Sequence, residues 1–271
     1  MVTKSLGSEG LAPAGSKLVL QDIDRWIFVF MAGLFFITVL IGFIPSSIGK
    51  IAAVQAGERA PFLSVLHVHA VLMGTWITLL LTQASLVASK HGAIHKKLGM
   101  TSIVLAPAMV VTGILLVPAN FGLIWSLDPS QVPINIIEET KAKISNIALI
   151  QIRIAVLFPI MVGLAFYFRK SDPDIHKRLM ILATVIPMAA AVDRITWLPH
   201  TIPGSPISPD LYILLLISPL FVYDLFRQKK VHRAYVYWAA GFIPASIAVH
   251  LLWSSTWWMS AAPKLMGVES L

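Results

Sequence analysis

The chain has 271 residues, of which 57% are apolar and only 13% charged, with a mean hydropathy of +0.79, whereas a soluble domain is about 45–50% apolar and about 25% charged. It has no cysteine, which excludes disulfides, iron–sulfur clusters and thiol chemistry. Its formal charge of +8 lies at the ends of apolar runs, a pattern of membrane orientation and lipid contact that argues against nucleic acid as a partner.

Residues 1–25 begin with a Gly/Ser/Ala/Pro-rich stretch and read as a disordered tail. No small-residue cleavage site follows the first apolar run, so that run is expected to be a retained helix and not a signal peptide. Apolar runs of the roughly 20 residues needed to cross about 30 Å of hydrocarbon follow at 26–44, 63–89, 98–122, 147–168, 179–198, 211–226 and 236–261. A longer loop is expected at 123–146, a Pro-rich loop at 199–210 and a short tail at 262–271. The fold class is therefore all-α, a polytopic membrane helical bundle of about seven transmembrane helices over 26–261. A weak repeat divides it into one lead helix and three helical hairpins. His95-Lys96-Lys97-Leu98, His176-Lys177-Arg178-Leu179 and His232-Arg233-Ala234-Tyr235 each open a span, and Pro107, Pro187 and Pro244 follow them at similar distances. Convergent chemistry at a membrane edge would give the same pattern.

Lys and Arg set the orientation. With the N-terminus inside, the inner segments carry fourteen of them and the outer segments five, while Arg153 and Arg194 lie within spans. That bias points to a bacterial inner (plasma) membrane protein with a cytoplasmic N-terminus and an external C-terminus. Trp197, Trp253, Trp257 and Trp258 would form part of the outer interfacial belt.

Ionisable groups within a bilayer are costly, so each is a candidate functional residue. At 1.5 Å per helical residue, His69, Arg153, Asp193, Arg194 and His250 fall in one layer of the outer half, with His200 at its rim. Asp193, Trp197 and His200 would share a helix face, and His250 would share one with Trp253, Ser254 and Trp257. Such polar and aromatic faces suit a planar ligand. Structural readings stand beside this one. Arg153 and Asp193 would pair to set helix register, Arg194 would snorkel, and the histidines would bond to neighbouring helices. There is no HExxH, no GxSxG, no phosphate-binding glycine loop, and no lysine inside a span for a retinal Schiff base.

Two stretches carry a resemblance. His69-Ala70-Val71-Leu72-Met73-Gly74, with Gln83 and then His95-Lys96-Lys97-Leu98-Gly99, is one. Asp174-Ile175-His176-Lys177-Arg178-Leu179-Met180, followed by Arg194, is the other. Over residues 66–194 they resemble bacterial multi-pass membrane proteins of unknown function. The His-x-x-x-Met-Gly start also resembles the ascorbate-type transmembrane cytochromes b, which hold haem between helices through paired histidines. That resemblance implies His69 as an axial ligand, with His95 and His176 as a second pair on the cytoplasmic side. The fourth span offers Arg153 where a facing histidine is wanted, so the partner of His69 would be His250 or His200.

The expected function is a membrane redox protein that binds haem b or a quinone in an outer-half pocket and transfers electrons to or from a membrane redox partner. His69 and His250 would be ligands or hydrogen-bond partners. Arg153 and Arg194 would hold a propionate or a quinone oxygen, since guanidinium forks suit such acceptors, and Asp193 would orient an arginine or move a proton. Copper at His69, His250 and His200 is an alternative occupant. So is no cofactor at all, in a transporter or receptor for a small anionic or amphipathic molecule, or in a non-catalytic subunit of a membrane complex.

Overall fold

The computed structural model describes residues 14–269. Among them there is no strand, and seven stretches are helical, long and apolar enough to cross a membrane. Helices suit this composition because a chain in hydrocarbon must satisfy its backbone polar groups internally. The elements are α1 (Ala14–Gln55), α2 (Ser64–Ala88), a short α3 (Gly92–Gly99) leading into α4 (Ser102–Trp125), α5 (Ile134–Phe168), α6 (Pro173–Val185), a 3₁₀ turn (Ile186–Met188), α7 (Ala189–Val192), α8 (Ile207–Gln228), α9 (Arg233–Leu252) and α10 (Thr256–Leu265).

The spans alternate in direction, which gives the bundle two chemically distinct ends. At the basic end Arg25 donates to the Ala88 carbonyl, Arg227 pairs with Asp24 at 2.5 Å, and Arg233 pairs with Asp172 at 3.1 Å. At the opposite, tryptophan end Trp125 donates to Glu269, Trp253 to the Pro203 carbonyl and Trp258 to the Ser145 carbonyl.

The α6–α7 span is the centre of the bundle. Within its apolar window 72% of residues are buried, against 44% for α5 and less for every other span. Asp172 caps α6 by accepting from the Ile175 N–H, and Pro173 occupies the first turn, where a missing N–H costs nothing. α1 crosses this span at Gly42, where a Cβ atom would lie 2.2 Å from the Ala191 carbonyl oxygen. Only a glycine admits so close a backbone approach.

Several element boundaries differ from the sequence expectation. α1 begins at Ala14 and continues through Pro45 to Gln55, so residues 14–25 are helical, and residues 1–13 of the expected tail lie outside the described residues. Half of the expected loop at 123–146 is the start of α5. The fifth span tightens into a 3₁₀ turn at Pro187 and ends at Val192. The seventh ends at Leu252. Ser254 there has φ 57°, and Ser255 caps a separate α10 by accepting from the Trp258 N–H. α10 reaches Leu265, inside the expected tail, of which residues 270–271 lie outside the described ones.

Candidate functional site

The buried stripe of α8 reads Asp210, Ile213, Ile217, Leu220, Asp224, a heptad spacing that keeps one face turned inward. Both ends of that stripe are carboxylates, fourteen residues or roughly 21 Å apart. Each meets an arginine from the α5–α6 hairpin. At the basic end Arg178 of α6 grips Asp224; at the tryptophan end Arg153 of α5 meets Asp210.

These two pairs have different surroundings. Arg178 and Asp224 are bidentate, with Nε to Oδ2 at 2.7 Å and Nη2 to Oδ1 at 2.5 Å. The Tyr235 hydroxyl donates to Asp224 at 2.7 Å, and Arg178 Nη1 donates to the Asp174 carbonyl at 3.1 Å. This network is closed, as a buried ionic group requires.

The Arg153 pair is open. Its side chain is 1% exposed, and Nη1 lies 2.6 Å from Asp210 Oδ1, an ion-pair contact without hydrogen-bond geometry. The same nitrogen donates to Ser246 Oγ at 2.6 Å. Arg153 Nε and Nη2 and Asp210 Oδ1 are buried with no hydrogen-bond partner among the described residues. Unsatisfied buried donors are rare in folded proteins and each calls for a cause, a bound ligand among them. The second oxygen of Asp210 lies 3.2 Å from His250 Nε2, and the His250 side chain is 38% exposed. A polar chain thus runs from a sealed guanidinium, through a carboxylate, to an open imidazole.

α9 supplies the remaining wall. Trp238, Phe242, Ser246 and His250 recur every four residues on one face. The Arg153 guanidinium sits 4.8 Å from the Phe242 ring centroid, and Trp238 stacks on Phe242 at 4.3 Å. Trp238 Nε1 is buried and also has no partner among the described residues. The site therefore sets a buried, stacked aromatic pair beside unused hydrogen-bond donors.

No protein-family model, curated protein or solved structure matches the chain.

Of the residues singled out from the sequence, the structure brings Arg153 and His250 to one cluster, joined through Asp210. His69 lies on a different seam. Its Nδ1 is 2.9 Å from Thr112 Oγ1, and it packs beside Gly113, so it faces α4. Arg194 donates to the Ala190 carbonyl and stacks 4.6 Å from the Phe43 ring of α1. Asp193 follows the end of α7 and makes no ion pair with Arg153, whose carboxylate partner is Asp210. Because the helix stops at Val192, Asp193, Trp197 and His200 do not share a continuous helix face. His200 Nε2 bonds the Ile195 carbonyl at 2.9 Å.

The histidines of the basic end are engaged locally. His176 Nδ1 donates to the Ala165 carbonyl at 2.8 Å. With the Gln83 amide nitrogen turned toward it, His95 Nδ1 accepts at 2.6 Å, while the Gly99 N–H donates to the Gln83 oxygen at 2.7 Å. His232 Nδ1 accepts from the Ala234 N–H and caps α9. Burial pushes the His232 imidazole below its ordinary value, and the Arg178 guanidinium lowers it further. Among the described residues no group of three or more His, Asp or Glu side chains could hold a metal ion, so His69, His250 and His200 form no such site.

The apolar run of the sixth span starts at 211, which leaves Asp210 in the expected loop, whereas the structure places it in the first turn of α8. Its place on the α8 stripe, two heptads before Asp224, is the sequence signal that marks it.

Proposed function

We propose that this protein is a membrane redox protein that binds a quinone head group at the Arg153–Asp210–His250 cluster. The observation that carries this reading is the contrast between the two buried pairs: one arginine has its hydrogen bonds filled, the other keeps two donors free. Arg153 and Asp210 cancel in charge, which favours a neutral carbonyl acceptor over an anion in a low-dielectric site. A quinone carbonyl would take the free Arg153 donors, with its ring at the edge of the Phe242–Trp238 stack. Reduction of a quinone consumes two electrons and two protons. His250, open to the surroundings and bonded to Asp210, would pass protons inward, and a membrane redox partner would supply or accept the electrons. The Lys and Arg bias supports a plasma-membrane protein with the tryptophan end outside. A haem held by His69 and His250 fits less well, because one faces α4 and the other α8.

A transporter for a small carboxylate is the second reading. The free guanidinium edge would also suit a carboxylate, and α5, α8 and α9, which surround it, each carry a proline inside a continuous helix: Pro159, Pro219 and Pro244. The experiment is solvent extraction of the detergent-purified protein, with quinone quantified by its reduced-minus-oxidised ultraviolet spectrum and the visible spectrum recorded alongside. Wild type should retain quinone, Arg153→Gln should lose about tenfold, the effect of one charge-assisted hydrogen bond, and His232→Asn should retain it. A Soret band, or wild type free of quinone after gentle solubilisation, would overturn the quinone site. Uptake of a labelled carboxylate abolished by Arg153→Gln would then favour transport.

A further inference from the structure

α4 and α5 leave a groove of about 680 Å³ between them. It lies on the α4 side of α5, whereas Arg153 turns toward α8 and α9. Its walls are Ala106, Pro107 and Val110 on one helix and Pro159 and Gly163 on the other, with no charge until Arg169 at the basic end. The small side chains of Ala106 and Gly163 leave space there that larger ones would fill.

We infer that this groove binds one chain of an anionic phospholipid from the leaflet at the basic end, with the phosphate at Arg169. Two observations choose the occupant. The groove spans ten residues of α4 (102–111) and eleven along α5 (159–169), roughly 14 Å. That is the depth of one leaflet of a core roughly 30 Å thick, and so of a single acyl chain that starts at the interface. The cation is complementary to a phosphate and stands where a headgroup would be. Arg169 stacks at 5.4 Å on Phe166, which holds the guanidinium at the groove mouth, and it makes no ion pair among the described residues. Basic pockets between transmembrane helices recognise anionic headgroups in this way.

The test uses the full-length protein, delipidated in detergent and titrated with dioleoylphosphatidylglycerol or dioleoylphosphatidylcholine, with bound lipid counted by native mass spectrometry. Wild type should bind the anionic lipid about fivefold more tightly, the effect of one cation near a headgroup. Arg169→Gln should abolish that preference and leave chain binding intact. Gly163→Leu should reduce binding of both lipids, because a Cβ at Gly163 meets nothing within 4 Å and the new side chain would fill the groove. Lys230→Gln, elsewhere at the basic end, should change nothing. Equal binding of the two lipids by wild type would overturn the inference. So would equal losses from Lys230→Gln and Arg169→Gln, or a folded Gly163→Leu that binds as wild type does. Arg169→Gln alters an exposed residue, so the headgroup arm stands if Gly163→Leu fails to fold.

Discussion

Arg153 and Arg178 are the same side chain in comparable burial, and their neighbours give them different work. Arg178 neutralises an Asp224 carboxylate whose side chain is 1% exposed. Replacing it with Gln removes both strong hydrogen bonds and strands a buried charge, a change that typically costs about 3–5 kcal/mol. Arg178→Gln should therefore lower the thermal midpoint in detergent sharply. Arg153→Gln should lower it much less, since Asp210 keeps His250 and two of the donors removed had no partner. Equal midpoints for the two variants would contradict the distinction between a closed clamp and an open site.

At the scale of elements, the start of α9 carries a pH-sensitive cap. His232 must be neutral at Nδ1 to accept from the Ala234 N–H. Protonation removes that acceptor and places a cation at the positive end of a helix dipole, close to Arg178, with Asp224, Asp172 and Asp174 only partly offsetting it. Because the folded pKa is lowered, the unfolded chain binds the proton more readily, and this contribution to stability rises with pH. It is fully present above the ordinary histidine value of about 6.5 and is lost as pH falls through the lowered one. The thermal midpoint should drop between about pH 8 and about pH 5, and His232→Asn, which keeps a capping acceptor that does not titrate, should flatten part of that drop. An unchanged pH profile in the variant would show that the cap does not titrate in this window.

For the whole molecule, seven crossings place Ser130 and Lys230 at opposite ends of the bundle. The chain has no cysteine, so a single introduced thiol reports its own side of the membrane. Under the positive-inside orientation, an impermeant maleimide added to intact cells should label Ser130→Cys and leave Lys230→Cys unlabelled until the membrane is opened. Labelling of both from outside would contradict the seven-span topology, and the reverse pattern would invert the proposed orientation.

The apolar runs alone determined that this is a seven-span helical bundle, because hydrocarbon thickness and backbone satisfaction leave a chain of this composition few alternatives. The same rules marked Arg153 and His250, since an ionisable residue in an apolar run stands out by its cost. What those residues meet was decided by tertiary structure. Arg153 pairs with Asp210, not Asp193, because the fifth span ends at Val192 while α8 begins four residues earlier than its apolar run suggests. His69 was legible as a polar intruder, but the packing of α2 against α4 turns it to Thr112, away from the cluster. Depth along a span follows from counting residues. Which seam a side chain faces follows from helix rotation and neighbour order, and those depend on long-range packing that no local run of residues encodes.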